Sequence, residues 1–141
     1  MYKVLIKQKK LFTNINAYVS GDLDKGVFII SGKLNDGVTM KQADDAIEIE
    51  LQKIKENIVD GDELLKVKNK IESIHEYGEI EILNKATNLA TAELMGDASM
   101  ANEEVEKYLK VTAKDIKKQA KNIFREDNCS TLYYNKKSNK I

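Results

Sequence analysis

The 141-residue sequence has no proline and no tryptophan, and it has one cysteine and one histidine. Without proline, helices can run long, and Gly, Asn and Asp must supply the turns. The single cysteine, Cys129, excludes an intrachain disulfide. No apolar run approaches the roughly 18 residues of a membrane span, and the N-terminus lacks a signal-peptide layout. The compartment stays open, because the parent protein could be cytoplasmic or periplasmic.

A net charge is absent as well, since 23 Lys and Arg residues balance 23 Asp and Glu residues. Dedicated nucleic-acid binders usually show a basic excess, so we expect no nucleic-acid partner. Hydrophobic residues make up 42% of the chain, which is enough for one core and too much for a disordered chain. We therefore expect one soluble domain over residues 1–135 and a flexible basic tail over residues 136–141.

The scarcity of histidine limits the chemistry that the chain can perform. A catalytic zinc site takes three protein ligands, commonly two histidines and a carboxylate. The segment around His75, residues 75–79, matches neither His-x-x-Glu-His nor His-Glu-x-x-His. A Ser-His-Asp triad would need the same histidine, and no Gly-x-Ser-x-Gly elbow exists. We predict a partly buried helix histidine at position 75, and no catalytic, cofactor-binding or metal-ligating residue in the chain.

Two further motifs fail on inspection. Residues 31–33 (Ser-Gly-Lys) look like the end of a P-loop, but Val27 stands where that motif needs its first glycine. The spacing of Asp22 and Asp24 is that of a calcium loop, but Gly26 comes one residue early. An ordinary turn is the better interpretation of this segment.

Three segments predict β-strands. Residues 12–19 alternate with period two, which places Phe12 on the same side as Asn14 and opposite to Ile15. Residues 27–34 are apolar enough for burial on both faces, and the two segments predict a hairpin. Residues 129–134 predict a last strand in which Cys129 is a buried structural thiol. Residues 2–10 fit a short helix or a strand, and we favour the helix.

A helical stripe runs from Asp60, a capping residue, to Gly96, a natural helix end. At 1.5 Å per residue this helix would be roughly 50 Å long, more than the depth of a small domain. Gly78 lies near its middle, so we expect a kink or a break around Tyr77 and Gly78. Periodicity and capping pairs predict three more helices: residues 39–58 after the Thr39–Gln42 pair, residues 99–109, and a helix after the Thr112–Asp115 pair.

Strands near both ends and helices in the middle indicate the α+β class. We expect an antiparallel or mixed sheet with helices packed on one face.

Several stretches together carry a resemblance to a known family. They are Leu5-x5-Leu11-x5-Ala17-Tyr18 leading into residues 26–32, Ala43-x2-Ala46-Ile47-x3-Leu51-x2-Ile54, Glu63-Leu64-x2-Val67-Lys68-Asn69-Lys70, Leu83-Asn84-Lys85-Ala86-x2-Leu89-Ala90-x2-Glu93-Leu94-x-Gly96-Asp97, and Val111-Thr112-x2-Asp115-Ile116-x3-Ala120-x2-Ile123-Phe124. In this order and spacing they resemble the C-terminal part of a peptidase M16 domain, the pitrilysin and processing-peptidase family. The resemblance covers residues 2–135 and implies a truncated LuxS/M16 metallohydrolase-like fold.

In that family two homologous halves enclose a chamber for an unfolded peptide. The catalytic half binds zinc through His-x-x-Glu-His and a downstream Glu, and the other half is inactive. The resemblance therefore implies that this chain is part of the inactive half, with zinc only in the catalytic half. Its partners would be that catalytic half, in the same parent chain or as a separate subunit, and indirectly the peptide substrate. The Arg and Tyr that the inactive half usually contributes would fall at Ile6 and Thr13, so no substrate residue carries over.

Alternatives remain at this point. The chain could be a stand-alone protein-interaction module without a peptidase role. A weaker hypothesis is a small enzyme that uses paired carboxylates such as Glu72 and Glu76, which would need a pocket. A sheet edge left open by the truncation would invite homodimerisation or strand addition. We expect no membrane partner.

Overall fold

The structure of the protein, a computed structural model, describes residues 1–21 and 25–135. The turn predicted around Asp22 and Asp24, and the tail predicted over 136–141, lie outside these residues. The described residues confirm the α+β class, with five α-helices and one two-stranded antiparallel sheet. They fall into two compact units: residues 1–56 with the described residues from 120 onward, and residues 57–119.

The first unit contains the predicted hairpin, formed by β1 (Phe12–Ser20) and β2 (Val27–Leu34). A register shift between Phe12 and Asn14 interrupts the ladder, so one extra residue separates Phe12 from the regular alternation. The bulge brings Phe12 into the same buried cluster as Ile15. The predicted alternation was therefore wrong at Phe12. The extra residue of a bulge moves the side chain before it to the other face of the strand, and a period-two pattern in the sequence does not show where a bulge occurs.

Helical segments cover one face of this hairpin. A π-helical turn, Lys3–Gln8, confirms the helix favoured for the N-terminal segment and buries Leu5 completely. Helix α1 (Met40–Glu56) packs two alanines, Ala43 and Ala46, into the same cluster. Small side chains at these positions let the helix approach the sheet closely. The core of the first unit consists of these residues together with Phe12 and Ile15.

None of the described helices forms such a layer on the opposite face of the hairpin. Val27 is 63% exposed, and Ser31 and Lys33 are exposed as well. The predicted burial of β2 on both faces was therefore wrong. The apolar run permits burial on both faces of β2. Whether another layer covers the second face depends on distant segments, which the sequence of the strand does not reveal.

Gly32 is explained by packing rather than by phosphate binding. A Cβ at this position would lie 2.8 Å from the ring of Phe12 and 3.1 Å from the carbonyl oxygen of Asn14. Glycine at this position leaves the space that the Phe12 ring and the backbone of β1 occupy.

Helix α1 begins with the predicted capping box. The backbone N–H of Thr39 donates to Oε1 of Gln42 at 2.9 Å, and the N–H of Gln42 donates to Oγ1 of Thr39 at 3.2 Å. Both otherwise unpaired donors at the helix start are thereby satisfied.

The second unit contains α2 (Gly61–Gly78), α3 (Ile82–Leu94) and α4 (Met100–Lys110). The long helical stripe is broken where expected, after Gly78, and α3 is followed by Gly96 at a φ of +119°. Asp60 caps α2 by accepting from the N–H of Asp62 at 3.2 Å. None of the described helices combines the length and apolar content needed to cross a membrane.

Helix α5 (Ala113–Ile123) starts at its predicted capping pair. Thr112 donates its N–H to the Asp115 carboxylate at 2.9 Å, and Asp115 donates its own N–H to Oγ1 of Thr112 at 3.2 Å. The hydrogen bonds from Thr112 hold the pKa of Asp115 below its usual range. The carboxylate is thus kept ionised at the positive end of the helix dipole, where a negative charge is favourable.

After α5 the chain makes a short 3₁₀ turn, Glu126–Asn128, and leaves it with Cys129 in an extended conformation. The strand predicted over 129–134 was wrong, because these residues pair with neither described strand. Cys129 is exposed, so the predicted buried thiol was wrong too. Extended backbone and β-forming side chains are present, but a strand also needs a neighbour to supply its ladder.

Candidate functional site

The only histidine lies on α2, half-buried as predicted, at the border of a groove within the second unit. The groove has a volume of about 550 Å³ and is formed by α2, α3 and α4. We call it the α2–α4 groove. Its lining consists of Ile71, Ile74, His75, Gly78, Asn84, Thr87, Asn88, Glu104, Val105 and Tyr108.

The groove combines an apolar wall with polar side chains, several of which form no hydrogen bond within the described part of the chain. Thr87 lines the groove, and its hydroxyl donates to the carbonyl oxygen of Leu83 within α3 at 2.8 Å. The side chains of His75, Asn88 and Glu104 make no hydrogen bond or ion pair within the described part of the chain. Such a surface can bind an apolar group that carries hydrogen-bonding atoms. It brings no nucleophile and base together.

The carboxylates considered for a small enzyme do not meet in this groove. Glu72 and Glu76 are both exposed on α2, and neither lines the α2–α4 groove. Among residues 1–21 and 25–135, no three side chains of the His, Cys, Asp and Glu types come together as a metal-binding group. The donor set around His75 therefore does not fit a catalytic zinc ion.

The helices around the groove are held by a contact that the sequence did not predict. Nζ of Lys68, on α2, donates to the carbonyl oxygen of Leu109 at 2.6 Å, near the end of α4. A lysine is favourable at this position, because the last carbonyls of a helix carry partial negative charge. The sequence gives no sign of this contact, because any lysine of α2 could equally have pointed to solvent.

The apolar surface of the second unit is largely uncovered. Within residues 57–119, which are all described, Ala92 is the single buried residue. The break between α2 and α3 is the clearest case, because four large side chains within seven positions are about three-quarters exposed or more. We call them the corner surface: Tyr77 at 74%, Ile80 at 73%, Ile82 at 86% and Leu83 at 76%.

A second cleft, of about 440 Å³, lies in the first unit between the ends of α1 and α5. It is rich in charged side chains, but several of these charges are already paired. Lys55 donates to the carbonyl oxygen of Phe124 at 3.2 Å and pairs with Glu48 at 3.1 Å. Arg125 pairs with Asp127 at 2.9 Å. The hydrogen bond from Lys55 to Phe124 thus joins α1 to the end of α5, so the charged side chains of this cleft have a structural role.

The positions at which the resembled family would place substrate residues are used structurally here. Thr13 lies at the β1 bulge, where its hydroxyl donates to Oδ1 of Asn35 at 2.9 Å. Ile6 lies in the π-helical turn and packs against the core of the first unit.

The extended segment after α5 is anchored at one point. The hydroxyl of Tyr133 donates to the carboxylate of Asp44 on α1. This hydrogen bond raises the pKa of the Tyr133 hydroxyl above its usual value. Leu132 and Tyr134, on either side of the anchor, are both 93% exposed. Sequence reasoning missed this contact, because the two residues are far apart in the chain.

Comparison with known proteins gives a match among solved structures. No family model matches the sequence, and no curated protein matches it. A crystal structure of a protease from Helicobacter pylori is similar, with a TM-score of 0.78 and 18% sequence identity. The match covers 85% of this chain and 29% of that protease. At this identity the likeness shows a shared fold, and the chain spans less than a third of the length of the protein it matches.

Proposed function

We propose that the chain is a non-catalytic segment of an M16-type zinc metallopeptidase. In this role it packs against a catalytic half and helps to form the chamber that holds the peptide substrate. It contributes surface and shape, while the zinc and the hydrolytic chemistry belong to the catalytic half.

The observation that carries this proposal is the uncovered second unit. A set of helices spanning 63 positions, residues 57–119, buries one residue, Ala92. Exposed apolar surface is costly at roughly 25 cal/mol per Å², and patches of this kind mark interaction sites. The corner surface and the α2–α4 groove are therefore the places where we expect a larger assembly to cover the chain.

The fold likeness supports the same proposal. The similar structure is a protease more than three times as long as the matched segment, so a chain of this fold can form one part of a larger proteolytic protein. The two-stranded sheet points the same way, because two strands alone are marginally stable and sheets of this class are usually larger.

A catalytic role for the chain itself is not supported by its side chains. The resembled family binds zinc through His-x-x-Glu-His and a downstream Glu, whereas this chain has one histidine. His75 borders the α2–α4 groove, but no metal-binding group forms around it in the described residues. In this proposal His75 belongs to a packing surface.

The test measures zinc content and peptide hydrolysis of the purified chain, alone and mixed with a catalytic His-x-x-Glu-His half from the same source. We expect no zinc and no hydrolysis from the chain alone, and hydrolysis on mixing. Stoichiometric zinc or hydrolysis by the chain alone would overturn the non-catalytic assignment. Absence of both binding and activity on mixing would overturn the role as a complementing segment.

A matched pair of variants locates the contact. Ile82→Lys with Leu83→Lys places two charges on the corner surface, and we expect at least a tenfold loss of hydrolysis in the mixture. Leu94→Lys, at the far end of α3, changes a leucine that is 71% exposed and should leave hydrolysis within about twofold of the parent chain. Circular dichroism of each variant confirms that the helices are retained.

A stand-alone protein-interaction module is the second candidate, and the same exposed corner surface favours it. The mixing experiment separates the two functions. A module would bind a protein partner through the corner surface without producing hydrolysis, and the Ile82→Lys and Leu83→Lys variant would lose that binding.

A further inference from the structure

Residues 129–134 form a segment that is ready to pair as a strand. Its first residue, Cys129, is extended, with a φ of −133° and a ψ of 138°. Within the described part of the chain these residues make no backbone-to-backbone hydrogen bond. The alternate side chains Leu132 and Tyr134 are each 93% exposed. The segment thus offers a row of free N–H and C=O groups and an uncovered apolar side.

The first unit also has an open sheet edge. Strand β2 pairs with β1 on one side, and no described strand lies on its other side. Val27, Ser31 and Lys33 along it are exposed. An uncovered edge with few charges is a template for strand addition, and a third strand would make the sheet markedly more stable.

We propose that residues 129–134 of one copy pair with the open edge of β2 in a second copy, and the reverse. Each copy carries both the free strand and the free edge, so the exchange is reciprocal and closes as a symmetric dimer. The product contains two three-stranded sheets, each completed by the other chain. This proposal does not depend on the metallopeptidase role.

Charge complementarity fixes the direction of pairing. Glu126 lies just before the segment and Lys33 lies near the end of β2, and neither side chain forms an ion pair among the described residues. Antiparallel pairing brings these two charges to the same end of the sheet, whereas parallel pairing separates them by the length of the strand. Antiparallel ladders are also slightly more stable.

The exposed apolar side chains fix the register. Val27, Ile29 and Ser31 alternate along the face of the sheet that no helix covers. The apolar residues of the segment are best buried against apolar residues of that face. One register does this throughout: Ser130 opposite Ser31, Leu132 opposite Ile29, and Tyr134 opposite Val27.

The anchor at Tyr133 opposes the exchange. Its hydroxyl donates to Asp44 of α1, which holds the segment beside its own helix. In the proposed register Tyr133 lies opposite Phe28 instead, so the hydrogen bond must break before pairing. The anchored and exchanged positions are therefore alternatives, and weakening the anchor should favour the dimer.

The first experiment measures molar mass against concentration by sedimentation equilibrium. We expect a rise from 16.0 kDa to twice that mass as concentration increases. Leu132→Lys should weaken dimerisation at least tenfold, and Tyr133→Phe should strengthen it. Leu94→Lys is the matched control, because Leu94 is also a largely exposed leucine, at 71%, but lies outside the proposed interface. A chain that stays monomeric, or a dimer that Leu132→Lys leaves unchanged, would overturn the proposal.

The second experiment tests the register by crosslinking, in a Cys129→Ser background. A chain with Ser31→Cys is mixed with a chain with Ser130→Cys under oxidising conditions, and we expect a mixed disulfide. Asn16→Cys, opposite Ser31 on β1, is one strand further away and should not crosslink to Ser130→Cys. A chain carrying both Ser31→Cys and Ser130→Cys should link between chains. A link within one chain would overturn the exchange.

Discussion

At the scale of single residues, burial concentrates in a few positions. Leu5 is fully buried, and it packs with Phe12 and Ile15 between the π-helical turn and the hairpin. A side chain in such a place contributes both its transfer from water and its contacts with close-packed neighbours.

Replacement of Leu5 by alanine should lower the free energy of unfolding of the first unit by about 2–5 kcal/mol. The loss has two parts, the missing apolar contacts and the cavity left in the buried cluster around Leu5. Leu83→Ala is the control, because Leu83 is 76% exposed, and it should change stability by less than about 0.5 kcal/mol. Urea unfolding followed by circular dichroism measures both variants. Equal losses would mean that the two leucines are equally covered in solution.

The hydroxyl of Tyr133 makes a pH-dependent contact. Its pKa is raised, first by the hydrogen bond to Asp44, so the folded chain retains this proton at a pH where an unfolded chain has lost it. The contact is therefore complete below pH about 10, the usual tyrosine value, and is lost as the pH rises through the raised pKa.

An ultraviolet titration of tyrosinate should show one of the six tyrosines ionising later than the rest. We expect this late step to disappear in Tyr133→Phe and to persist in Tyr134→Phe. Loss of the late step in the Tyr134 variant instead would contradict the contact with Asp44.

At the scale of elements, the ends of the helices follow from local chemistry. The pairs Thr39 with Gln42 and Thr112 with Asp115 satisfy backbone donors at the start of α1 and α5. These interactions join residues three positions apart, which is why the sequence predicts them correctly. The strand prediction for 129–134 failed for the opposite reason, because a strand is completed by a distant neighbour.

The glycine after α3 should tolerate no side chain without cost. Gly96 has a φ of +119°, outside the range that L-residues prefer, so Gly96→Ala should destabilise the second unit by about 1–2 kcal/mol. Gly78→Ala is the matched control, since Gly78 lies in α2 and an added Cβ would meet no atom within 4 Å apart from its chain neighbours and its own helix backbone. That variant should be neutral or stabilising by up to about 1 kcal/mol, because alanine favours helix. Thermal unfolding compares the two, and a stabilising Gly96→Ala would contradict the observed helix end.

At the scale of the whole molecule, the two units differ in how much core they contain. The first unit has a cluster of five buried residues, whereas the second buries only Ala92 across its full, described length. Local stability follows buried apolar contact, so the units should open with different free energies.

Hydrogen exchange on the intact chain measures this difference. We expect amides of α1 to exchange at least tenfold more slowly than those of α3, because α1 is held against the hairpin. Addition of the catalytic half should slow exchange around the corner surface and leave α1 unchanged. Equal protection of α1 and α3 in the isolated chain would show that the second unit is stable without a partner.

The sequence by itself determined the α+β class, the two hairpin strands, the capped helix starts and the break after Gly78. All of these depend on interactions between near neighbours or on a repeated apolar pattern. It also restricted the chemistry, since one histidine leaves few routes to a catalytic metal site.

Only the tertiary structure decided the phase of Phe12 at its bulge, the exposure of Cys129, the Lys68 contact with α4 and the anchor between Tyr133 and Asp44. Each depends on which distant segment lies opposite, and that choice minimises the free energy of the whole chain. The uncovered corner surface belongs to this group too, because a sequence shows that a side chain is apolar but not whether another layer will cover it.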